Sequence, residues 1–371
     1  MTEPLVLDAT LVWDTHLQLE AAIQNLAVSP KERLLAISAG TEFAILDMST
    51  GYRLFSISNP STVTAMTWLD PSSCIYGMEG GRVVVAHLQS MPTGHERCPI
   101  TVSGFQTAGR VMCLASKGES LAIATDKSIE WWTYQQRAPD DGASPWIFQR
   151  EHAAHDIIYS HLAWSASSDK LYAGAYGKYI CWDVRAGRLV AQHIINEQIL
   201  CVDADADYLI TFVMRNQVPY LICRKLRTSE FVAEHNAGGI ADSSLSPHTV
   251  VLCGRNICIL NTGHVAYWDF CQRSSRNLQF TGVTSQDALT VSVDTKDENP
   301  RVFTSPTMRP RLTFPEFVAV GFAHSVRVYH GGLVDARRDT KGEQRTLQAL
   351  SYAQTYKFPG NFGQRLYWAY L

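Results

Sequence analysis

The feature that most constrains this sequence is a hairpin pattern that recurs about every forty residues. Its clearest copy, residues 157–195, contains four short runs rich in apolar and aromatic residues, at 160–164, 171–175, 179–183 and 188–193. The breaks between these runs read SSD, YGK and RAG, which are turn-forming sequences. The pattern predicts four short strands joined by tight turns, in a sheet too small to bury both of its faces alone.

The second hairpin of this unit recurs along the chain as an apolar run, a polar turn and another apolar run. The turns of the copies are centred near Gly40, Gly80, Asp126, Gly177, Asn216, Arg255 and His324. Each small sheet can cover its faces only by packing against the next one. The repeat therefore predicts an all-β fold in which the sheets are arranged radially around a common axis.

Short motifs at the strand ends resemble a known family. The segment CWDVRAG at 181–187 is similar to the Trp-Asp end of a WD40 repeat and the turn that follows it. AWS at 163–165 and AVSP at 27–30 resemble the end of that family's first strand. The resemblance covers about residues 20–330. It implies a seven-bladed WD40-like β-propeller, with six or eight blades as alternatives.

The resemblance implies structural roles for three residues of the fourth blade. His155 precedes Trp182 by 27 residues, near the spacing of the family's Gly-His and Trp-Asp pairs, and Asp183 completes the dipeptide. The other hairpins end in pairs such as LeuAsp, AlaHis and ThrTyr, which depart from the family pattern. AYWDF at 266–270 contains the dipeptide but follows the predicted sixth hairpin too closely to be its third strand.

The chain is predicted to contain one large domain with two terminal segments. Residues 1–20 are interpreted as a ring-closing strand, because an unpaired strand would expose both an edge and an apolar face. Residues 21–330 form the propeller, with 290–293 as the first strand of its last blade. Residues 331–371 end in aromatic residues and are predicted to pack on the propeller.

Composition argues against several classes of protein. The net charge of −3 gives no overall attraction to nucleic acid or to an anionic membrane. No run approaches eighteen apolar residues, and the first residues carry no basic segment of a signal peptide. Nine cysteines without a framework spacing fit a reducing compartment. We therefore predict an intracellular protein, cytoplasmic or nuclear, with no membrane and no nucleic-acid partner.

No local motif predicts catalysis or a cofactor. The sequence lacks a nucleophile elbow, a zinc-protease helix motif, a Walker loop and a dinucleotide-binding turn, so we predict that the chain is not an enzyme. Asp203, Asp205 and Asp207 could suit calcium, but no glycine follows to bend the loop, and we interpret them as a solvated turn.

Two groups of residues with zinc-ligand chemistry were also considered. They are His152, His155 and His161, and His87, His95 and Cys98. Neither group offers four ligands at compact spacing, so no metal site is predicted. Cys253 and Cys258, which flank the sixth turn, are interpreted as reduced and buried.

The remaining prediction is a non-catalytic scaffold that binds a peptide or loop of another protein. In propellers of this kind, the turns between second and third strands surround the central channel on one face. The predicted partner-binding residues on these turns are Asp126, Lys127, Tyr176, Lys178, Arg215, Asn216, Arg255 and His324. Arg215 and Arg255 are expected to clamp carboxylates of the partner. The alternative is a propeller enzyme, or one that binds a small ligand or calcium in the channel.

Overall fold

A computed structural model describes the backbone of part of the chain, and side chains only between residues 21 and 236, without 195 and 196. The described residues are 10–16, 21, 23–29, 34–48, 50–89, 100–135, 145–153, 157–165, 167–204, 207–236, 249–252, 257–261, 265–269, 274–277, 290–293, 317–321, 325–330, 353–356 and 366–369. Every regular element in these ranges is a β-strand. None of the described residues belongs to a helix long and apolar enough to cross a membrane.

The strands are numbered in chain order, and β1 (Thr10–His16) pairs with a strand near the other end of the chain. Three sheets of four consecutive antiparallel strands follow it. The first contains β2 (Asn25–Val28), β3 (Leu34–Ala39), β4 (Glu42–Asp47) and β5 (Arg53–Ser58). The second contains β6 (Val63–Asp70), β7 (Ser73–Met78), β8 (Arg82–Leu88) and β9 (Ile100–Gln106). The third contains β10 (Val111–Lys117), β11 (Ser120–Thr125), β12 (Ser128–Tyr134) and β13 (Trp146–Ala153).

The second strand of each of these sheets shows why the sequence forms them. In β3 and β7 every residue is buried, and in β11 all but the first are. A strand covered on both faces requires a continuous apolar run rather than an alternating one. The runs LLAISA, SCIYGM and SLAIAT meet that requirement, and the glycine or polar turns that follow them fix the pairing with the third strand.

The fourth and fifth predicted blades form one six-stranded sheet. Its strands are β14 (Tyr159–Trp164), β15 (Lys170–Asp183), β16 (Arg188–Ala204), β17 (Tyr208–Arg215), β18 (Val218–Lys225) and β19 (Phe231–Asn236). The sequence predicts two separate strands in the range of β15 and two in the range of β16, but each range forms one continuous strand. They are continuous because Tyr176, at the hairpin turn of the fourth blade, pairs with Gln198, where the inner strand of the fifth begins.

Two further four-stranded sheets and a hairpin complete the described strands. One sheet contains β20 (Thr249–Leu252), β21 (Ile257–Asn261), β22 (Val265–Asp269) and β23 (Ser274–Asn277). The other contains β24 (Thr290–Val293), β25 (Phe317–Gly321) and β26 (Ser325–His330), with β1 as its outer strand. The hairpin consists of β27 (Ala353–Tyr356) and β28 (Leu366–Ala369). The domain boundaries, and the packing of residues 331–371 on the propeller, stay predictions.

The pairing in the sixth sheet corrects the predicted order of its strands. The predicted sixth turn, near Arg255, falls between β20 and β21, which are the first and second strands rather than the second and third. The segment AYWDF therefore contributes to the third strand, β22. The expectation that it follows the sixth hairpin too closely for this position is wrong. The run TVVL that forms β20 has only four residues, and in front of CGRN it fits a second strand as well as a first.

The innermost strands of the sheets contact one another in a circuit. β2 contacts β6, β6 contacts β10, β10 contacts β14, and β14 contacts β16. β16 in turn contacts β20, β20 contacts β24, and β24 contacts β2. The sheets are therefore arranged radially, as the repeat predicts. The number of blades stays a prediction.

Much of the apolar core lies between neighbouring sheets. One cluster joins Phe43 of the first sheet to Tyr76 of the second, with stacked rings whose centroids are 4.2 Å apart. Similar clusters join the second sheet to the third and the third to the fourth. This arrangement explains why one blade alone would be unstable, since each sheet is covered only by its neighbours.

A close approach between blades recurs at one position of the second strand. A Cβ atom built on Gly77 would lie 2.4 Å from Cγ1 of Val111 in the next blade, and one on Gly174 would lie 2.6 Å from Cγ2 of Val202. Both glycines stand two residues before their hairpin turn, where Ser38 and Ala124 stand in the first and third sheets. Only a small residue allows the next inner strand to approach this closely.

Candidate partner-binding face

The predicted site lies at one end of the sheets, which we call the turn face. Antiparallel order places the turns between second and third strands at the same end as the connections to the next inner strand. Its described residues include the turns at 40–41, 79–81, 126–127, 176–178 and 216–217.

Hydrogen bonds on the turn face join two of these turns to the chain that follows their blades. The amide of Val63 donates to the carbonyl oxygen of Gly40 at 2.8 Å, and the amide of Thr107 donates to that of Gly81 at 2.9 Å. Gly40 and Gly81 have φ of 59° and 79°, a conformation that favours glycine. The turns are therefore held rigidly, and the face they form is preorganised for contact with a partner.

Asp126 and Lys127 are exposed, but both bind the connection that leads into their own blade. Asp126 Oδ1 accepts the amide of Arg110 at 2.9 Å, and Lys127 Nζ donates to the carbonyl oxygen of Ala108 at 3.0 Å. Arg110 also contacts Glu79 of the second blade at 3.2 Å through Nη1. The structure thus brings Asp126 and Lys127 together with Glu79 and Arg110 in one polar corner of the face.

Tyr176 and Lys178 lie at the turn of the fourth blade beside exposed apolar side chains. Tyr176 is 79% exposed, Ile194 is 75% exposed and Ile158 is 51% exposed. Lys178 pairs with Ile194, and its ammonium nitrogen lies 5.7 Å from the ring centre of Tyr159. Ile158 precedes Tyr159, which pairs with the residue before Tyr176. We call Ile158, Tyr176 and Ile194 the apolar patch.

Ile158 and Ile194 are not among the partner-binding residues predicted from the sequence. The sequence contains a pattern that could have identified them. Isoleucine pairs stand at 157–158 and 194–195, in predicted connections between strands, where polar residues are usual. The pairing of β15 with β16 is needed to place these two segments on either side of Tyr176.

Arg215 does not serve as a free clamp for carboxylates. Its Nη1 and Nη2 atoms bind Glu234 at 3.0 and 3.2 Å, and its Nε binds Glu197 at 2.5 Å. The guanidinium carbon also lies 4.6 Å from the ring centre of Tyr220. Hydrogen bonds that Arg215 donates to Glu234 and Glu197 raise the pKa of Arg215. Since carboxylates of its own blade already bind the guanidinium, a partner's carboxylate would have to compete with them, and the clamp stays a prediction.

Asn216 forms the tip of the same hairpin together with Gln217. The two residues have φ of 50° and 64°, as in a two-residue hairpin turn of the type that suits twisted strands. Arg255 and His324 lie outside the described residues. The position of Arg255 between β20 and β21 removes the reason for placing it on the turn face, because it was assigned there as a second-to-third turn.

Of the three residues with implied structural roles, His155 lies outside the described residues. Trp182 is 2% exposed, and its ring lies 6.0 Å from the ring of His152. Asp183 Oδ1 accepts the amide of Ala186 at 2.8 Å, in a turn that ends at Gly187 with φ of 66°.

The first blade repeats this turn without the tryptophan. Asp47 Oδ1 accepts the amide of Thr50 at 3.1 Å, in a turn that reaches Gly51 with φ of 71°. The shared signal is Asp followed four residues later by Gly, in LDMSTG and WDVRAG. The LeuAsp end of the first blade is thus the structural equivalent of the TrpAsp end of the fourth.

We expect Asp183→Ala to lower the free energy of unfolding by about 1 kcal/mol, because the Ala186 amide loses its acceptor. Chemical denaturation followed by tryptophan fluorescence measures the change. Asp183→Asn retains a side-chain oxygen and serves as the control. Equal losses in both variants would show that the charge, not the hydrogen bond, stabilises the turn.

The described residues contain no group of three or more His, Cys, Asp or Glu side chains that could hold a metal ion. Asp203 lies within β16, Asp207 precedes β17, and Asp205 lies outside the described residues. Burial lowers the pKa of His161 to about 4, and His87 Nδ1 is hydrogen-bonded to Ser73 at 2.8 Å. His95, Cys98 and Cys253 lie outside the described part of the chain, as does the side chain of Cys258.

A cavity of about 290 Å³ opens at the mouth of the channel, where three inner strands begin. It is lined by Gln24, Asn25, Thr62, Thr64, Arg110, Val111 and Met112. Thr64 Oγ1 donates to the carbonyl oxygen of Val111 at 2.6 Å, which binds the second blade to the third inside the cavity.

No protein-family model matches the chain, and no curated protein matches it. Among solved structures, it is similar to the β-propeller domain of Cps50 (Swd1) from Myceliophteria thermophila. The TM-score is 0.61 at 10% sequence identity, over 87% of this chain and 99% of that one. The predicted all-β, WD40-like propeller architecture is confirmed: the chain has the fold of a WD40-like β-propeller.

Proposed function

We propose that the protein is a non-catalytic scaffold that binds a peptide or loop of another protein on the turn face. The observation that carries this proposal is the apolar patch, in which Ile158, Tyr176 and Ile194 are exposed on neighbouring strands at the same end of the fourth blade. Large apolar side chains grouped at the end of a rigid sheet are typical of interaction sites. Tyrosine in particular is enriched among the residues that dominate binding energy.

The surroundings of the patch support a protein partner. Lys178 borders it, and the corner formed by Glu79, Arg110, Asp126 and Lys127 adds polar groups on the same face. An apolar centre with a polar rim is the usual composition of a protein–protein interface. The similarity to a β-propeller domain supports the scaffold reading at the level of the fold.

We also propose a reducing, intracellular location. No disulfide joins the described cysteines at positions 74, 113, 181, 201 and 223. Buried reduced thiols are usual in cytoplasmic and nuclear proteins. The cysteines outside the described residues can be tested by counting reactive thiols in the denatured, unreduced protein.

The proposal is tested by affinity purification from cell lysate with quantitative mass spectrometry. We expect the double variant Tyr176→Ala, Ile194→Ser to recover its specific partners about tenfold less than the unchanged protein, because both side chains would be central contacts. Both positions are exposed, so the variant is expected to fold with nearly unchanged stability.

Phe231→Ala is the matched control. This side chain is also large, apolar and 50% exposed, but it lies on β19, the outer strand of its sheet. Loss of the same partners in the control, or their full retention in the double variant, would place the binding surface elsewhere.

A second candidate function is favoured by the cavity at the channel mouth. Its convergent amide, hydroxyl and guanidinium groups could bind a small polar ligand, as ligand pockets usually combine few polar groups with a concave surface. A thermal-shift screen of small metabolites tests it. Stabilisation that is lost in Arg110→Ala but kept in the double variant would favour the ligand over the scaffold.

A further inference from the structure

A second, smaller cavity lies along the outer strands of the fourth blade, where they face the fifth blade. Its volume is about 80 Å³, and it is formed between β15, the outer half of β16 and the turn that follows β18. Its lining includes Lys170, Tyr179, His193, Arg224 and Arg227. We call this space the basic cleft.

Three cations of the basic cleft have no carboxylate partner among the described residues. Lys170 and Arg224 are half-buried and Arg227 is exposed. Arg224 Nη1 donates only to the carbonyl oxygen of Ser229, at 3.5 Å. A fourth cation, Lys225, is bound by Glu230 at 3.0 Å. The cleft therefore carries a surplus of positive charge.

Half-buried arginines elsewhere in the described residues are paired with carboxylates. Arg53 binds Glu42 at 3.2 Å, and Arg215 binds both Glu197 and Glu234. Removing a cation from water without an opposite charge is unfavourable. The uncompensated pair of Lys170 and Arg224 therefore marks the basic cleft as a place where an anion would stabilise the structure.

The walls of the cleft are rigid and aromatic. The rings of Tyr179 and His193 are stacked, with centroids 4.5 Å apart and an angle of 16° between their planes. Burial, together with the positive charge of Arg224, lowers the pKa of His193. The imidazole is therefore neutral at pH 7 and can donate one hydrogen bond without adding a further charge.

We propose that the basic cleft binds a phosphate group. Two guanidinium groups present paired donors that match the geometry of phosphate oxygens, and Lys170 adds a point charge. A dianion compensates more of the three positive charges than a single carboxylate does. The small volume admits one such group rather than a whole nucleotide.

The phosphate group has two chemical sources, the free inorganic ion and a phosphorylated side chain of another protein. Both present the same oxygens to Lys170, Arg224 and Arg227, so binding of inorganic phosphate alone does not identify the source. A second titration, with a phosphorylated peptide, distinguishes the two. The cleft shares no lining residue with the apolar patch, and the proposal does not rest on the scaffold function.

The test is isothermal titration calorimetry of the purified protein with sodium phosphate, against sodium chloride of equal ionic strength. We expect saturable binding of phosphate that Lys170→Ala and Arg224→Ala each weaken about tenfold. Arg227→Ala, at an exposed position, is expected to weaken it severalfold without affecting folding. Arg185→Ala is the matched control, since this exposed arginine lies nearby on the turn after β15.

A peptide of the sequence Gly-Gly-phosphoserine-Gly-Gly separates the two sources. Tighter binding of the peptide than of inorganic phosphate assigns the basic cleft to a phosphorylated partner, and equal or weaker binding assigns it to the free ion. The proposal is overturned if the unchanged protein shows no saturable phosphate binding. It is also overturned if Arg227→Ala binds phosphate as well as the Arg185→Ala control does.

Discussion

Trp68→Ala is expected to lower the free energy of unfolding by about 3–5 kcal/mol, the largest effect of any single change proposed for this chain. Trp68 ends the inner strand of the second blade and is only 6% exposed, within the core cluster shared with the first blade. Its indole nitrogen donates to the carbonyl oxygen of Ala27 at 2.8 Å. The substitution removes both the packing between two blades and the donor for that carbonyl.

Urea denaturation followed by circular dichroism measures this loss, with Trp68→Phe separating its two parts. The phenylalanine keeps most of the apolar contact but cannot donate, so we expect it to cost about 1–3 kcal/mol. Phe148→Ala, at a side chain that is nearly half exposed, is the control and is expected to cost less than either. If Trp68→Ala were no more damaging than this control, the interface between the first two blades would not depend on the tryptophan.

Gly77→Ala is expected to lower the free energy of unfolding by about 1–3 kcal/mol, although it adds only one methyl group. The new Cβ atom would lie 2.4 Å from Cγ1 and 2.8 Å from Cβ of Val111. Val111 is fully buried, and rotation about its χ1 would leave the contact with its own Cβ unchanged. The two blades must therefore move apart, or the inner strand of the third blade must shift.

A double-mutant cycle tests this steric account directly. Val111→Ala alone leaves a small cavity, but combined with Gly77→Ala it removes the clash. We expect the double variant to be more stable than the sum of the two single losses predicts. Gly80→Ala, three residues further on, is the control, because its Cβ would meet nothing closer than 3.5 Å. Additive losses in the cycle would contradict this steric account.

The repeat and the turns of the first five blades could be read from the sequence for a physical reason. A strand buried on both faces must be continuously apolar, and a tight turn must be polar or glycine-rich, so each hairpin leaves a local pattern. β3, β7, β11 and β17 all follow this rule. The four-residue strand β20 does not, because a short apolar run next to CGRN is also compatible with a second strand.

The candidate site was only partly predictable, because a turn position does not reveal which groups pair there. Arg215 was correctly placed at a hairpin turn, but Glu197 and Glu234 are each nearly twenty residues away in sequence and approach it only through β16 and β19. The apolar patch was missed for the same reason, since Ile158 and Ile194 lie in different connections. Such contacts join residues of different strands, and the pattern of a single hairpin does not show which residues of other strands lie beside it.

The pairing of β1 with β26 has a consequence for how the protein is made. Thr10 lies opposite His330, so β1 finds its neighbour only after all the intervening sheets have been translated. At ordinary elongation rates that delay is on the order of tens of seconds. During it the nascent β1 strand has an exposed edge, and we expect chaperones that hold extended segments to engage it there.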